Sequence, residues 1–244
     1  MSSNQRPQLM DGEIYHISSR TVGDMVVFEK ENDFYRGIFS VYEFNNKDPV
    51  EIWVKRQARI NFKKRQKQFE KLGRPTSQFL DLRDKLVEVW AFSFMPNHLH
   101  LILKQLQNNG ISEFMKKVSG GFAKYSNDKY ERKGHLFNKF YPVHIKNDEQ
   151  LKTVFTYVHT NLISLIEPGW KEKGVENPEK VKKFLENHKR HSYPDYLSKK
   201  NFPSVTDREF LLELMGGIEG CKAAVDNWIT YKKEVKDFND IFSN

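Results

Sequence analysis

Met95-Pro96-Asn97-His98-Leu99-His100-Leu101-Ile102-Leu103-Lys104, read with the run from Leu86 to Phe94 before it, decides the fold. Leu86 to Phe94 is dense in β-branched and aromatic residues, and Met95-Pro96-Asn97 has the chemistry of a turn. His98 to Lys104 is again apolar, so the two runs predict a β-hairpin. Strand side chains alternate, so His98 and His100 leave one face while Leu99 and Leu101 leave the other. Two imidazoles on a rigid strand are a candidate metal pair. Neutral imidazole is the commonest metal ligand, and an ion held by two of them keeps positions open for a phosphate. In a chain with eight histidines, His-x-His alone is a weak pattern, and its surroundings must carry it.

Working outward, Glu13 to Thr21 alternates like a first strand, and Asn32-Asp33 offers an N-cap for a helix to about Phe44. Beyond the hairpin, Ser112 to Tyr125 reads as a helix with Phe114, Met115, Val118 and Phe122 inward, and Leu136 to Ile145 as a further strand. Pro142 suits an edge or bulge. Asp148-Glu149 opens a helix to about Ile166 with Leu151, Phe155, Val158 and Leu162 in one stripe. The order β-α-insert-β-β-α-β-α is that of an α+β, ferredoxin-like split β-α-β antiparallel sheet, with helices on one face and the other left for chemistry. Short helical pieces follow: Asn177-Pro178 as N-cap and N1, Asp207 to Met215, and Ile218 to Phe238. The expected division is a catalytic domain over residues 1–170 and a small helical appendage over 171–244.

Charge is concentrated. Between Lys55 and Arg74 lie nine of the 40 basic residues, Lys55, Arg56, Arg59, Lys63, Lys64, Arg65, Lys67, Lys71 and Arg74, against Glu70 alone of the 32 acidic ones. The rest of the chain balances at 31 each. This insert, about residues 45–83, carries Ala58, Phe62, Phe69 and Leu72 at helical spacing. It predicts a helix with one apolar stripe and a cationic surface that binds phosphates. Cys221 is the only cysteine, so an internal disulfide and a cysteine-based zinc finger are excluded. No apolar run is long enough to cross a bilayer, and Met1 to Gln8 lacks the apolar core of a secretory leader. A cytoplasmic protein with no membrane partner is expected.

Four ordered landmarks together resemble the single-tyrosine HUH transposases, in particular their REP-associated branch. They are Tyr15-His16-Ile17-Ser18-Ser19-Arg20, Met95 to His100, Gly134-His135-Leu136-Phe137 before Phe140-Tyr141, and Thr156-Tyr157-Val158-His159-Thr160-Asn161. The last is similar to the family's Tyr-x-x-x-Asn-Pro, and the likeness spans roughly residues 12–170. It implies that Tyr157 is the nucleophile, that His98 and His100 bind a divalent metal, Mg²⁺ or Mn²⁺, and that Asn161 is its third ligand. The departure is Leu162 in place of proline. Leucine lets the helix continue, so its end is expected to differ.

The resemblance implies DNA cleavage and rejoining through a 5′-phosphotyrosine, on single-stranded or hairpin DNA. The basic insert would hold the DNA backbone, with His16 and Arg20 as further DNA contacts. A free phenol with pKa near 10 is a poor nucleophile at neutral pH, and a divalent ion draws in and neutralises the phosphate it must attack. Monomer and homodimer both remain open. So do two other functions: a catalytically silent nucleic-acid-binding protein on the same scaffold, and a His-x-His metal-dependent hydrolase in which water attacks and Tyr157 is structural. From the residues alone, Tyr125, Tyr130 and Tyr141 are rival nucleophiles.

Overall fold

A computed structural model describes residues 8–73, 81 and 83–230. Strands β1 (Ile14–Arg20), β2 (Val87–Phe94), β3 (His98–Gln105) and β4 (Tyr141–Ile145) form one sheet in the order β2-β3-β1-β4. Every neighbouring pair is antiparallel. With α1 (Glu31–Glu43) between β1 and β2 and α3 (Gly110–Lys129) between β3 and β4, this is the expected split β-α-β arrangement. Turn 95–97 closes the hairpin, with the Met95 amide donating to the His98 carbonyl.

Alternation sorts the strands onto two faces. Tyr15, Ile17, Leu99, Leu101 and Leu103 pack with Phe34, Ile38 and Val41 of α1 and Phe114, Met115, Val118 and Phe122 of α3. The register slips between Val89 and Ala91. This bulge sends both Trp90 and Ala91 to the opposite core while Phe92 and Phe94 return to the first. Helices α1 and α3 meet closely because residue 121 is glycine: a Cβ there would lie 2.2 Å from the Phe44 ring. Asn32 and Asp33 do not cap α1. The helix begins at Glu31 after Lys30, and Asp33 is buried, accepting from Tyr125 Oη, Lys129 Nζ and Tyr130 Oη. The strand expected from Leu136 shrinks to β4, preceded by a bridge between Thr21 and Phe137. Pro142 sits on β4, an edge strand as its missing N–H requires.

The second face is not left bare, contrary to expectation. Helix α4 (Asp148–Thr160), capped by Asn147 accepting from the Gln150 amide, lies across it. The chain then tightens into a 3₁₀ turn over Asn161–Leu165, and buried Leu162 holds that turn in the core. Short helices α5 (Trp170–Lys173), α6 (Pro178–Asn187), α7 (Tyr193–Tyr196) and α8 (Glu209–Leu214) follow, then α9 (Gly217–Thr230). Val181, Leu185, Tyr193, Tyr196, Leu211, Cys221 and Val225 share one core with Phe155 and Val158 of α4 and Trp90 of β2. This segment also covers the outer edge of β2: the Phe94 amide donates to Arg190, Ser192 to Phe92 and Asp207 to Val89. An open edge strand would otherwise present unpaired backbone groups. Residues 171–230 are thus built into the body of the fold.

Helix α2 (Ile52–Lys71) forms as the spacing predicts, but most of its apolar stripe stays exposed, with Phe62 half-buried. Only Ile52 is buried; Ala58, Phe69 and Leu72 are exposed, as is Trp53 at 72%. Twenty residues at about 1.5 Å each make a rod of about 30 Å. No described helix is long and apolar enough to cross a membrane.

Candidate active site

β1, β3 and α4 bring the predicted residues together. In the register, Arg20 lies opposite His98 and Ser18 opposite His100, so these four share the second face with His16, which pairs with Ile102. The ring centroids of His98 and His100 are 5.0 Å apart. Tyr157, on the sheet-facing side of α4 and 8% exposed, sets its ring edge-to-face 5.5 Å from His100 and 5.8 Å from His16. Asn161, one turn later, places its amide nitrogen 3.4 Å from His98 Nε2. Three of the four landmarks of the sequence therefore converge here, while Leu136 and Phe137 of the remaining one pack in the other core.

Hydrogen bonds set which nitrogen of His98 carries the proton. Arg20 Nη1 donates to Asp24 at 3.0 Å, and the Asp24 carboxylate accepts from Asn97 Nδ2 at 3.1 Å. A carboxylate only accepts, so the amide oxygen of Asn97 faces His98 and takes the proton of Nδ1 at 2.7 Å. Nε2 of His98 is left with its lone pair. His100 Nδ1 lies 3.0 Å from His16 Nε2; with the shared proton on His100, its Nε2 also presents a lone pair. That Nε2 is buried and has no hydrogen-bond partner among the described residues. Two imidazole lone pairs, the one on His98 met by the Asn161 amide nitrogen, and the amide itself are donors that suit a divalent ion. Among the described residues no cluster of three or more His, Cys, Asp and Glu exists, so Asn161 would have to complete the set.

Burial keeps these rings neutral. It pushes His98 down to about 4, helped by Arg20 and Lys171 and opposed by Asp24. It pushes His16 down to about 3 and His100 well below the ordinary value, with His16 and His98 adding repulsion. Burial raises the Tyr157 phenol, and Arg20 acts against that rise.

Other expectations change. His16 is 2% exposed and its Nε2 is engaged by His100, so it supports His100 and offers no surface to DNA. Arg20 stands exposed at the rim, paired with Asp24. Tyr125 and Tyr130 bind Asp33 in the other layer; Tyr141 shares the site's face through its register with Ser18 but is exposed on β4. On α2, Arg59 pairs with Glu43 at 2.7 Å and covers the Tyr42 ring, whereas Lys55, Arg56, Lys63, Lys64, Arg65, Lys67 and Lys71 are exposed. Arg74 lies outside the described residues. Sequence reasoning missed the roles of Asp24 and Asn97, and it missed Lys171, whose ammonium stands 5.4 Å from the Tyr157 ring centroid.

Residues 52–161 match the family model described as transposase, IS200-like. This segment runs from α2 through Asn161 and includes the histidine pair and Tyr157. The match likens the segment that carries the site to enzymes that act on DNA. Through that segment, 110 of the 244 residues, the chain is similar to the IS200-like transposases. No curated protein sequence matches it. Among solved structures it is loosely similar to a REP-associated tyrosine transposase bound to a REP hairpin, with a TM-score of 0.43 and 14% identity over 86% of this chain and 96% of that one. It is also loosely similar to a bacterial tRNA(His) guanylyltransferase-like protein in complex with GTP, with a TM-score of 0.37 and 9% identity over 70% and 73%.

Proposed function

We propose that this protein is a DNA strand transferase that cuts and rejoins single-stranded or hairpin-forming DNA through a covalent link to Tyr157. One observation carries the reading. The Tyr157 ring meets His100 edge-to-face, the His100 Nε2 is buried with no hydrogen-bond partner among the described residues, and the neighbouring His98 turns its Nε2 lone pair toward the Asn161 amide. His98 and His100, with the amide oxygen of Asn161 once that amide turns over, would hold Mg²⁺ or Mn²⁺. Bound there, the ion supplies a Lewis acid for a phosphate oxygen.

The protein's own groups do the rest. The side chain of Tyr157 lies on the ligand face, where its oxygen can meet a phosphate in line. Attack forms the bond from the phenolic oxygen to phosphorus and breaks the one to the 3′ oxygen. The phenolic proton leaves, and the departing 3′ oxygen takes one up. Because one phosphodiester replaces another, the reverse attack reseals the strand without an outside energy source. Burial of the Tyr157 ring keeps bulk water from the link and disfavours hydrolysis of the intermediate.

The test uses labelled hairpin DNA from the gene's own flanks with Mn²⁺. The expected product is a protein–DNA adduct that survives denaturation, absent in Tyr157→Phe while that variant still binds the DNA. An adduct formed by Tyr157→Phe moves the nucleophile to Tyr141. Metal-dependent cleavage with no adduct in the parent protein overturns the reading in favour of a hydrolase.

A further inference from the structure

Lys171 lies beyond the segment matched by the family model, on four-residue α5. The chain enters this helix through Gly169 at φ 82° and leaves through Gly174 at φ 97°, and Trp170 anchors it in the core at 3% exposure. The anchoring delivers the next residue, Lys171, to the face of Tyr157, with its ammonium 5.4 Å from the ring centroid. Like Arg20, Lys171 acts electrostatically on both His98 and His100. Two cations of different origin, the end of β1 and α5, therefore frame the tyrosine and the histidine pair.

Their circumstances differ. Arg20 is exposed and tied to Asp24. Lys171 is half-buried and, among the described residues, forms no ion pair within 4 Å. Burial and the like charge of Arg20 push its ammonium below the ordinary value, with Glu172 opposing. A half-buried cation without an anion is unfavourable unless something charged comes to meet it. The group that must sit between Tyr157 and the histidine pair during strand transfer is a phosphate.

We propose that Lys171 is a phosphate-contacting residue of the site, the cation that meets the scissile phosphate beside Tyr157. The inference rests on the strand-transfer reading for its place in the reaction, but phosphate contact itself can be measured apart from chemistry. A cation so placed neutralises negative charge where the phenolic oxygen must approach, which an exposed rim arginine in high dielectric does less well.

The experiment has two arms. In the Tyr157→Phe background, Lys171→Met is titrated with a labelled single-stranded oligonucleotide from the gene's flanks across a salt series. The expected slope of log affinity against log salt is shallower by about 0.7. In the Tyr157 protein with Mn²⁺, Lys171→Met is expected to slow adduct formation at saturating DNA by about 10- to 100-fold, and Lys171→Arg to restore much of it. Unchanged melting temperatures for both variants separate a missing charge from a damaged fold. An unchanged salt slope together with an unchanged adduct rate overturns the role of Lys171. If the parent protein forms no adduct yet Lys171→Met flattens the salt slope, strand transfer fails and the phosphate contact stands.

Discussion

Tyr157 and His159 are two residues apart on α4, so about 200° of helix separates them and they enter opposite environments. On the Tyr157 side, His16 and His100 meet the ring edge-to-face, His98 beside His100 is only partly buried, and cations stand at the rim. On the other side His159 is sealed at 0% exposure. Its Nε2 lies 2.9 Å from Ser192 Oγ, and its ring packs on Phe155, Tyr193 and Tyr196. His191, beside it, donates from Nε2 to the Leu185 carbonyl at 2.8 Å. Both clusters hold neutral, buried imidazoles. They differ in what the rings face: a tyrosine, an amide and charged neighbours, or a wall of aromatic carbon. A burial-depressed histidine is therefore no sign of function by itself, and its neighbours are what separate the two sides.

The sharpest way to break that comparison is to remove one histidine from each side. His98→Ala or His100→Ala is expected to abolish metal-dependent cleavage and weaken Mn²⁺ binding at least tenfold, with the fold retained. His159→Ala is expected to keep cleavage in the folded protein while costing about 2–4 kcal/mol of stability. It opens a cavity and deprives the Ser192 hydroxyl of a partner. Calorimetry showing unaltered Mn²⁺ binding in both His98→Ala and His100→Ala would remove the metal site. Loss of cleavage in a stably folded His159→Ala would erase the distinction between the two sides.

Acid should test the sealed side. Burial holds His191 down to about 3 and His188 to about 4. As pH falls below about 6.5 the unfolded chain binds protons at these positions and the folded protein does not. Their contribution to stability is therefore present above pH 6.5 and is lost progressively on the way to pH 4. For His191 alone the loss at pH 5 is about 2 kcal/mol. Melting temperature is expected to drop between pH 7.5 and pH 5, and less so in His191→Gln. Equal drops in the parent and His191→Gln would mean that this ring does not resist protonation.

Legibility followed the range of the interactions. The hairpin and the shared face of His98 and His100 were readable because a period of two needs only neighbours in sequence, whereas Tyr157 and Asn161 were singled out by the resemblance, with the i, i+4 spacing only placing them on one helix side. The cap at Asn147 went unread, although α4 began where Asp148-Glu149 indicated. What fixes the His98 tautomer was not readable: Asp24 and Asn97 are 73 residues apart, and nothing local in either announces the other. Lys171 gave no signal either, since a four-residue helix has no period and its position depends on the turns at Gly169 and Gly174. The covering of the β2 edge by residues 190–192 and 207 is made backbone to backbone, which side-chain patterns do not encode. On α2 the periodicity correctly marked a helix but could not say how much of its stripe is covered, because a stripe tells which way a face points and not what lies on it.

The smallest expected effect separates holding DNA from reacting with it. Lys63, Lys64, Arg65 and Lys67 are exposed along α2, a helix whose sole buried residue is Ile52, so they can contact a backbone without touching the packed core. Changing all four to Gln should weaken binding across DNA sequences alike and flatten the salt slope by about 0.7–0.9 for each phosphate that α2 no longer neutralises. The rate of adduct formation at saturating DNA should stay near that of the parent, because groups that position the strand carry no charge to the reacting phosphate. Arg59 is left in place, since its pairing with Glu43 and its stacking on Tyr42 tie α2 to α1. A parental salt slope in the fourfold variant would make this charge a solvated surface and turn attention to the rim cation Arg20. A parental slope with a collapsed adduct rate would instead mean that α2 reaches the reacting phosphate.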